Sequence, residues 1–570
     1  MNLDSCTPGQ RQIITTLDKP LMVSAGAGSG KTFTLTQRIA YALTEPGSDN
    51  NPFVSHIDQI LAITFTKKAA AELKSRIKAK LLELGLTDEA LKVDDAWIST
   101  IHGMCSRVLR EHALELGVDS SFEVLSETDA NRLKDEAFDR VLFALDQSDD
   151  EALKSYVHTV GITSSGASAK SIQSYVSVLS NKVLALPGGF DALYIPEVEG
   201  NPAALMREMV ELGQEFVAVS SVLTKPTKTD AKHLEACEAA LEKALAYLEK
   251  GIPTSFTDPS LDVHKFAKVL FSFPKTSPKY RVKDSDPTFF ADYRSTYAHI
   301  TCTVESALSA MELRYVAEIA RRVHEEFQEL KGPRRLDNVD LLRATYDAFV
   351  NHPDLAHAYQ QQFRMIMIDE FQDTDELQVA LLSHIAKPGF TNVCTVGDAQ
   401  QSIYRFRGAD VSVFYAYQSM LEAKTEQPQF VNLPDNFRSH ADVLSFVDTI
   451  FSQPRVFGER FLSLQPKGAV NSESDAMFDN RPRISMALYD CPSTGPGVSE
   501  GRKACALRIA QHFAELYDAG VSPADMTLLL GSMSNVEVYA QALRDLGFEC
   551  LVAGGSTFSE AYEVGLVQAC

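Results

Sequence analysis

Short apolar runs alternate with amphipathic stretches on either side of a long central segment, a pattern typical of parallel strands connected by helices. The pattern predicts strands over the ranges 21–23, 60–63, 96–99, 364–368 and 392–396. Helical spacing of apolar residues follows the first three of these strands. The sequence therefore predicts an α/β fold built on a parallel sheet.

The central segment, residues 112–335, has a different pattern. It consists mainly of amphipathic helical stretches, separated by breaks that contain Pro and Ser, which predicts a mainly helical insertion in the α/β fold. After about residue 428 strands and helices alternate again. There we predict strands over 483–490, 526–530 and 549–555, and helices over 504–517 and 536–547.

Composition excludes some classes of protein. A chain of 570 residues is too long for one small module, and 45% apolar with 23% charged residues is typical of a packed globular protein. The net charge of −22 argues against a basic coat that binds nucleic acid through charge alone. A local basic channel is still compatible with this balance.

The cysteines and the N-terminus bear on the cellular compartment. Nine cysteines are scattered without any C-x-x-C pair, which favours a reducing compartment over a disulfide framework or a zinc ribbon. The N-terminus lacks a signal-peptide pattern, and no apolar stretch approaches about 18 residues. We therefore expect a cytoplasmic protein that does not span a membrane.

A glycine-rich loop follows the first predicted strand and precedes a predicted helix. Such a loop lets backbone N–H groups converge on phosphate oxygens, while Lys reaches the β and γ phosphates and a Thr hydroxyl holds Mg²⁺. A glycine-rich turn without a ligand is the alternative interpretation, but the near-complete match after a strand favours ATP and Mg²⁺. The candidate residues are Ala25, Gly26, Ala27, Gly28, Ser29, Gly30, Lys31 and Thr32, with Ala25 where the general pattern has glycine.

Two acidic residues, Asp369 and Glu370, end the predicted strand 364–368. Parallel sheets present functional groups at the carboxyl ends of their strands. Asp369 is a candidate Mg²⁺ ligand, and Glu370 is a candidate base that orients and deprotonates the attacking water. Alone, such a pair is more often a solvated strand end, but with the phosphate loop it predicts phosphoryl transfer.

Four further motifs, TFTKKAAAE, ISTIHGMC, GDAQQSIYRFRGAD and LPDNFRS, lie in order around these two sites. Together with TPGQRQII, the phosphate loop and DEFQD, they resemble the motif series of UvrD/Rep/PcrA-type helicases of superfamily one. In that family alanine is usual at the first position of the phosphate loop. Within it, DEFQDT, TIHGMCSRVLREH and the long insertion are closer to AddA- and RecB-like proteins than to the compact repair helicases.

The resemblance implies additional roles at the nucleotide. Gln10 corresponds to the glutamine that reads the adenine, and Phe437 to the aromatic residue that stacks on it. Gln401 corresponds to the γ-phosphate sensor, and Arg438 to an arginine that reaches the γ-phosphate from the second motor domain. With Lys31 and Glu370, Gln401 and Arg438 complete the expected catalytic set.

The resemblance also implies a channel for single-stranded DNA. Aromatic faces stack on bases at roughly 1–3 kcal/mol each without reading sequence, and neighbouring cations follow the backbone. The expected DNA-binding residues are Thr64, Phe65, His102, Tyr404, Phe406 and Arg407. Each aromatic, taken alone, is more often part of a hydrophobic core than a platform for bases.

The fold implied is a RecA-like P-loop motor domain formed by 1–111 and 336–429, a helical insertion over 112–335, and an incomplete second RecA-like domain over 430–570. The implied activity is a DNA helicase that hydrolyses ATP to move 3′ to 5′ on single-stranded DNA and to unwind duplex junctions in repair or recombination. A nuclease or helicase partner subunit is also implied. The family's remaining motifs are expected beyond Cys570.

Two other functions are compatible with parts of the sequence. A truncated helicase could bind nucleotide and a partner without unwinding DNA by itself, and the motifs expected beyond Cys570 favour that interpretation for this chain. A P-loop kinase or transporter ATPase would need no DNA, and it would leave GDAQQSIYRFRGAD and NFRS unexplained.

Overall fold

A computed structural model describes residues 1–45, 52–162, 171–222, 227–258, 260–276, 288–403, 410–425, 427–467, 482–488 and 496–552. Its strands are β1 Leu21–Ala25, β2 Ile60–Thr64, β3 Ile98–Thr100, β4 Glu123–Val124, β5 Arg335–Leu336, β6 Met365–Ile368, β7 Val393–Gly397, β8 Gln429–Leu433, β9 Asp435–Asn436 and β10 Gln465–Pro466.

The helices before β4 are α1 Pro8–Thr15, α2 Lys31–Thr44, α3 Lys67–Glu83, α4 Thr87–Lys92, α5 Ile101–Glu111 and α6 Ala113–Leu116. Those between β4 and β5 are α7 Glu127–Asp146, α8 Glu151–Val160, α9 Ile172–Leu184, α10 Pro202–Ser221, α11 Lys228–Glu249, α12 Val263–Leu270 and α13 Phe289–Lys331. The later ones are α14 Asn338–Asn351, α15 Pro353–Gln362, α16 Glu376–Ile385, α17 Val411–Lys424, α18 Ala441–Phe451, α19 Pro496–Asp518 and α20 Val536–Asp545.

Six strands form one parallel sheet in the order β3-β2-β6-β7-β1-β8. Leu21 of β1 lies opposite Cys394 of β7 on one side and Gln429 of β8 on the other. Because every strand runs in the same direction, all six carboxyl ends lie along one edge of the sheet. The loops after β1 and β6 are therefore separated only by the end of β7.

Both faces of this sheet are buried. Along β2, Leu61 and Ile63 belong to one hydrophobic cluster, whereas Ile60 and Ala62 belong to another. Side chains alternate between the faces of a strand, so the two clusters lie on opposite sides of the sheet. Burial on both faces explains why these strands appear in the sequence as continuous apolar runs.

The central segment is helical from α7 to α13, and α13 alone is 43 residues long. Two further hydrophobic clusters pack these helices against one another. Helices α7 to α13 lie between β4 and β5 in the chain, and these two short strands pair, with Glu123 opposite Arg335. The two ends of the helical segment therefore lie side by side.

Several sequence predictions differ from the structure. The predicted strands over 483–490, 526–530 and 549–555 are wrong for their described residues, which form no strand, and Leu529 is 88% exposed. A strand is stabilised by hydrogen bonds to a neighbour, and no neighbouring strand lies beside these segments in the described part of the chain. Residues 489, 490 and 553–555 lie outside the described residues.

Two compact units make up the chain. The first comprises Met1–Gly26 and Gly30–Leu433, and the second comprises Ala27–Ser29 and Pro434–Cys570. In the second unit β9 pairs with β10. Among the residues described, no helix combines the length and the apolar character needed to cross a bilayer.

Candidate nucleotide-binding site

The phosphate loop connects β1 to α2. Gly28 and Gly30 have φ of +73° and +80°, a left-handed conformation that residues with a side chain rarely adopt. Gly30 is the N-cap of α2, and no side chain of the described residues caps this helix. The N–H groups of the first turn of α2 are therefore available to an anion, as at other helix N-termini that bind phosphate.

Gln10 lies directly beside this loop. It is buried in the first turn of α1, where its Oε1 accepts a hydrogen bond from Thr7 N at 3.1 Å. A Cβ on Gly30 would lie 2.9 Å from Gln10 Nε2. The structure thus brings the proposed adenine-reading glutamine to the start of α2, and the close approach gives Gly30 a second reason to lack a side chain.

Lys31 forms an ion pair with Glu370, although 339 positions separate them in the sequence. Lys31 Nζ lies 2.8 Å from Glu370 Oε1 and 3.0 Å from Oε2. Glu370 has φ of +54°, which is uncommon outside glycine and is often found at functional sites. The phosphate loop and the acidic pair after β6 therefore meet at one place.

A hydrogen-bonded chain continues from Glu370 to the loop after β7. Gln372 is 2% exposed; its Nε2 donates to Glu370 Oε2 at 2.8 Å, and its Oε1 accepts from Asp398 N at 2.9 Å. Asp398 Oδ2 then accepts from Gln401 Nε2 at 2.6 Å. Gln401, the proposed γ-phosphate sensor, is thus linked to Glu370 through two buried polar groups, Gln372 and Asp398.

Gly397→Ala tests this link. A Cβ on Gly397 would lie 2.7 Å from Gln372 Oε1 and 3.1 Å from Gln372 N, so backbone as well as side chain must move. We expect a loss of about 1–3 kcal/mol in the free energy of unfolding, the usual range for overpacking, with a larger loss of ATP hydrolysis than of ATP binding. Urea unfolding and ATPase assays measure the two effects.

The matched control is Gly531→Ala, since a Cβ on Gly531 would meet no atom within 4 Å. It should unfold at the urea midpoint of the parent chain. Equal midpoints for the two variants would contradict the close approach at Gly397.

Three carboxylates, those of Asp369, Glu370 and Asp373, lie near the ammonium of Lys31. Burial, together with the charge of Glu370, raises the pKa of Asp369 to about 6. The same two causes raise the pKa of Asp373 to about 6. Asp373 Oδ1 is buried and has no hydrogen-bond partner among the described residues. The site therefore carries more negative charge than Lys31 alone compensates.

This oxygen-rich, negatively charged setting fits Mg²⁺. No group of three or more metal-ligating His, Cys, Asp or Glu side chains occurs in the described ranges. Mg²⁺ at nucleotide sites is held by one or two carboxylates together with substrate phosphates, so a complete protein cage is not required. Asp369 and the hydroxyl of Thr32 are the residues that would hold it.

In the second unit, Asn436 organises the NFRS segment. Its Nδ2 donates to Ala27 O at 2.6 Å, and its Oδ1 accepts from Arg438 N at 2.9 Å and Ser439 N at 2.7 Å. Phe437 N donates to Gly28 O at 2.8 Å. The side chains of Phe437 and Arg438 are exposed, so they are accessible to a ligand.

Three predicted DNA-binding residues lie at the edge of the sheet. Thr64 ends β2 and is paired with Thr100 of β3, which caps the helix that carries His102. Thr64 is buried, whereas Phe65 is 37% exposed at the adjacent position. The structure thus groups these three residues, while Tyr404, Phe406 and Arg407 lie outside the described residues.

His102→Gln is expected to weaken the pH dependence of stability. Burial lowers the pKa of His102 to about 4, against about 6.5 in an unfolded chain. As pH falls from 6.5 to 4, the unfolded state binds more protons and folding becomes less favourable. The shift corresponds to about 3 kcal/mol at pH 4, a penalty that the variant should not show.

Unfolding curves at pH 7 and pH 4 measure this difference, with the exposed His357→Gln as the control. If the unsubstituted chain and the His102→Gln variant have the same pH dependence of stability, His102 does not have a lowered pKa in the folded chain.

Sequence reasoning missed three buried residues whose side chains connect distant segments of the chain. Gln372 and Asn436 lie inside motifs that the sequence shows, but their contacts link distant segments and leave no periodic signal. Arg38 lies on α2 and is 1% exposed. A cation directly before the apolar run Ile39–Leu43 was the available signal for Arg38.

Comparisons with known proteins agree with this geometry. Residues 6–422 match the UvrD/REP helicase N-terminal domain. The chain is 28% identical over 495 residues to proteins named as one subunit of an ATP-dependent helicase/nuclease from Staphylococcus aureus strains USA300, NCTC 8325 and MW2. The match covers 78% of this chain and 39% of each relative, so the chain spans well under half of their length. The resemblance found in the sequence is confirmed, including its AddA-like character: the chain belongs to the UvrD/REP helicase family.

Proposed function

We propose that this chain is the ATP-hydrolysing part of a DNA helicase that moves 3′ to 5′ on single-stranded DNA and unwinds duplex DNA in repair or recombination. The observation that carries the proposal is the contact of Lys31 Nζ with Glu370 at 2.8 Å, at the carboxyl edge of a parallel sheet. This edge is where α/β proteins bind nucleotides. Family membership supports the same activity.

Each residue at this edge has a proposed task. The loop from Ala25 to Gly30 and the start of α2 surround the phosphates, and Lys31 leaves Glu370 to bind the β and γ oxygens. Mg²⁺, held by Thr32 and Asp369, would neutralise charge that develops on the phosphates. Glu370 orients the attacking water and accepts its proton.

Additional residues act at the two ends of the nucleotide. Gln401 senses the γ-phosphate, and hydrogen bonds through Asp398 and Gln372 connect it to Glu370. Arg438 stabilises the charge of the transition state as an arginine finger supplied by the same chain. Gln10 reads the adenine and Phe437 stacks on it.

Single-stranded DNA is the proposed track. Phe65, Tyr404 and Phe406 stack on bases, while Thr64, His102 and Arg407 contact the strand. Stacking is independent of sequence, which suits a protein that moves along DNA. It also supplies affinity that an acidic chain cannot obtain from its overall charge.

The domain limits follow the same proposal. Residues 1–111 with 336–429 form a RecA-like motor domain, 112–335 an insertion, and 430–570 part of a second RecA-like domain.

The relatives are named as one subunit of a helicase/nuclease. We therefore propose a partner subunit, duplex junctions as substrate and a cytoplasmic location for the parent protein.

Stimulation of ATP hydrolysis by single-stranded DNA tests the function. The full-length helicase of which we propose this chain to be a part should hydrolyse ATP faster when oligo(dT) is added. In the same protein, Phe406→Ala should weaken oligo(dT) binding by about 1–3 kcal/mol, roughly 5- to 150-fold. Phe143→Ala, an exposed phenylalanine of the helical segment, is the control.

The outcomes separate the candidate functions. A rate unaffected by DNA would contradict the motor. This chain and the full-length helicase are compared in a strand-displacement assay. If the chain binds ATP but only the full-length helicase displaces a strand, the chain alone is a nucleotide-binding portion.

A further inference from the structure

A fully buried arginine connects the first two helices of the chain. Arg38, on α2, is 1% exposed and donates from Nη1 to Ile13 O and to Thr16 O, the latter at 2.5 Å. No carboxylate pairs with it in the described part of the chain. Burial lowers the pKa of Arg38 because desolvation disfavours its charged form.

The two acceptors explain why a cation is tolerated there. Ile13 and Thr16 lie in the last turn and at the C-cap of α1, where helix carbonyls have no partner within their own helix. These carbonyls also carry the negative end of the helix dipole. An apolar side chain could fill the same space without desolvating a charge. The contribution specific to arginine is therefore its directional hydrogen bonds to α1.

The two helices that Arg38 connects hold residues proposed to bind opposite ends of the nucleotide, Gln10 of α1 the adenine and Lys31 of α2 the phosphates. Gln10 lies in the first turn of α1, with its Nε2 next to Gly30. Lys31 begins α2, and Arg38 follows it by about two turns, or about 10 Å along the axis. The distance between Gln10 and Lys31 therefore depends on how α1 is held against α2.

We propose that Arg38 is a positioning residue that sets the preference for adenine over guanine nucleotides by fixing α1, and with it Gln10, relative to the phosphate loop. The inference rests on the proposed role of Gln10. A glutamine amide pairs with both the amino group and N7 of adenine, whereas guanine offers two acceptors at this edge. A small displacement of α1 would remove that discrimination without altering contacts to the phosphates.

Calorimetric titration with Mg·ATP, Mg·GTP and inorganic tripolyphosphate tests this inference on the full chain. In Arg38→Met the ratio of the GTP to the ATP dissociation constant should fall about tenfold, the value of one hydrogen bond to the base. Affinity for tripolyphosphate should change less than about twofold, because the phosphate contacts stay in place. Gln10→Ala should lower the ratio equally, and the double variant should lower it no further.

Arg343→Met is the matched control. Arg343 also donates to backbone carbonyls at a helix end, those of Leu184 at 3.3 Å and Leu186 at 2.7 Å, but this end belongs to α9, away from α1 and α2 in the sequence. Its loss should lower the unfolding temperature and leave the ratio unchanged. A merely structural Arg38 would behave in the same way, and that result would overturn the proposal.

Two further outcomes are informative. If Gln10→Ala keeps the ratio of the parent chain, the role of Gln10 in the proposed function fails, and with it the inference. If Gln10→Ala loses the ratio while Arg38→Met keeps it, the inference alone fails. Should Arg38→Met not fold, Arg38→Lys retains the charge with a different donor geometry, and it should lower the ratio about threefold; an unchanged ratio contradicts the proposal.

Discussion

Glu370→Gln is expected to abolish ATP turnover and to leave ATP binding intact or tighter. The substitution keeps the size of the side chain but removes the proton acceptor, and loss of a general base typically lowers the rate by about 10²–10⁴-fold. It also removes the ion pair with Lys31, at 2.8 Å, which competes with the nucleotide for that ammonium. Single-turnover hydrolysis and equilibrium ATP binding measure the two effects separately.

Glu376→Gln is the control for this experiment. Glu376 begins α16 shortly after Glu370 and is exposed, so its neutralisation should alter neither measurement. If Glu370→Gln hydrolyses ATP at a rate near that of the unsubstituted protein, Glu370 is not the base. A loss of ATP binding equal to the loss of turnover would assign it to binding instead.

Lys31→Met should remove most of the affinity for ATP. Lys31 is largely buried and forms its ion pair with Glu370, so in the complex it would exchange one anionic partner for another. Truncating one member of a buried charge pair costs about 2–5 kcal/mol, roughly 30- to several-thousand-fold in affinity. The variant also leaves Glu370 without this counter-charge, so binding of Mg·ATP should suffer more than binding of free adenosine.

Lys78→Met provides the comparison, since Lys78 forms a surface ion pair with Asp94 at 2.7 Å. Surface pairs contribute about 0–1 kcal/mol, so this variant should bind ATP like the parent chain. If Lys31→Met keeps the ATP affinity of the parent chain, the loop before α2 does not bind the triphosphate.

The parts of the fold that sequence predicted are those in which local pattern and burial agree. β1, β2, β6 and β7 are buried on both faces, so their apolar runs were visible, and the loop after β1 carries glycines that its backbone conformation requires. Asp369 and Glu370 were found because they end such a strand. The predicted strand at 96–99 begins later, at Ile98.

Other features depend on contacts between distant segments. The apolar run 526–530 has strand propensity, but no neighbouring strand pairs with it in the described part of the chain, and propensity alone does not make a sheet. Gln372 connects the ends of β6 and β7, and Arg38 connects α1 and α2. Single-sequence patterns report periodicity within an element, so they do not show which distant segments these two residues connect.

We propose that one triphosphate binds where Lys31 and the acidic pair meet, with Arg438 at its γ-phosphate. The most direct measurement is a structure of the protein with Mg²⁺, a non-hydrolysable ATP analogue and oligo(dT). We expect Lys31 Nζ and the Arg438 guanidinium within hydrogen-bonding distance of γ-phosphate oxygens, and Glu370 released from Lys31. A triphosphate bound elsewhere, or one that Lys31 does not touch, would contradict the account.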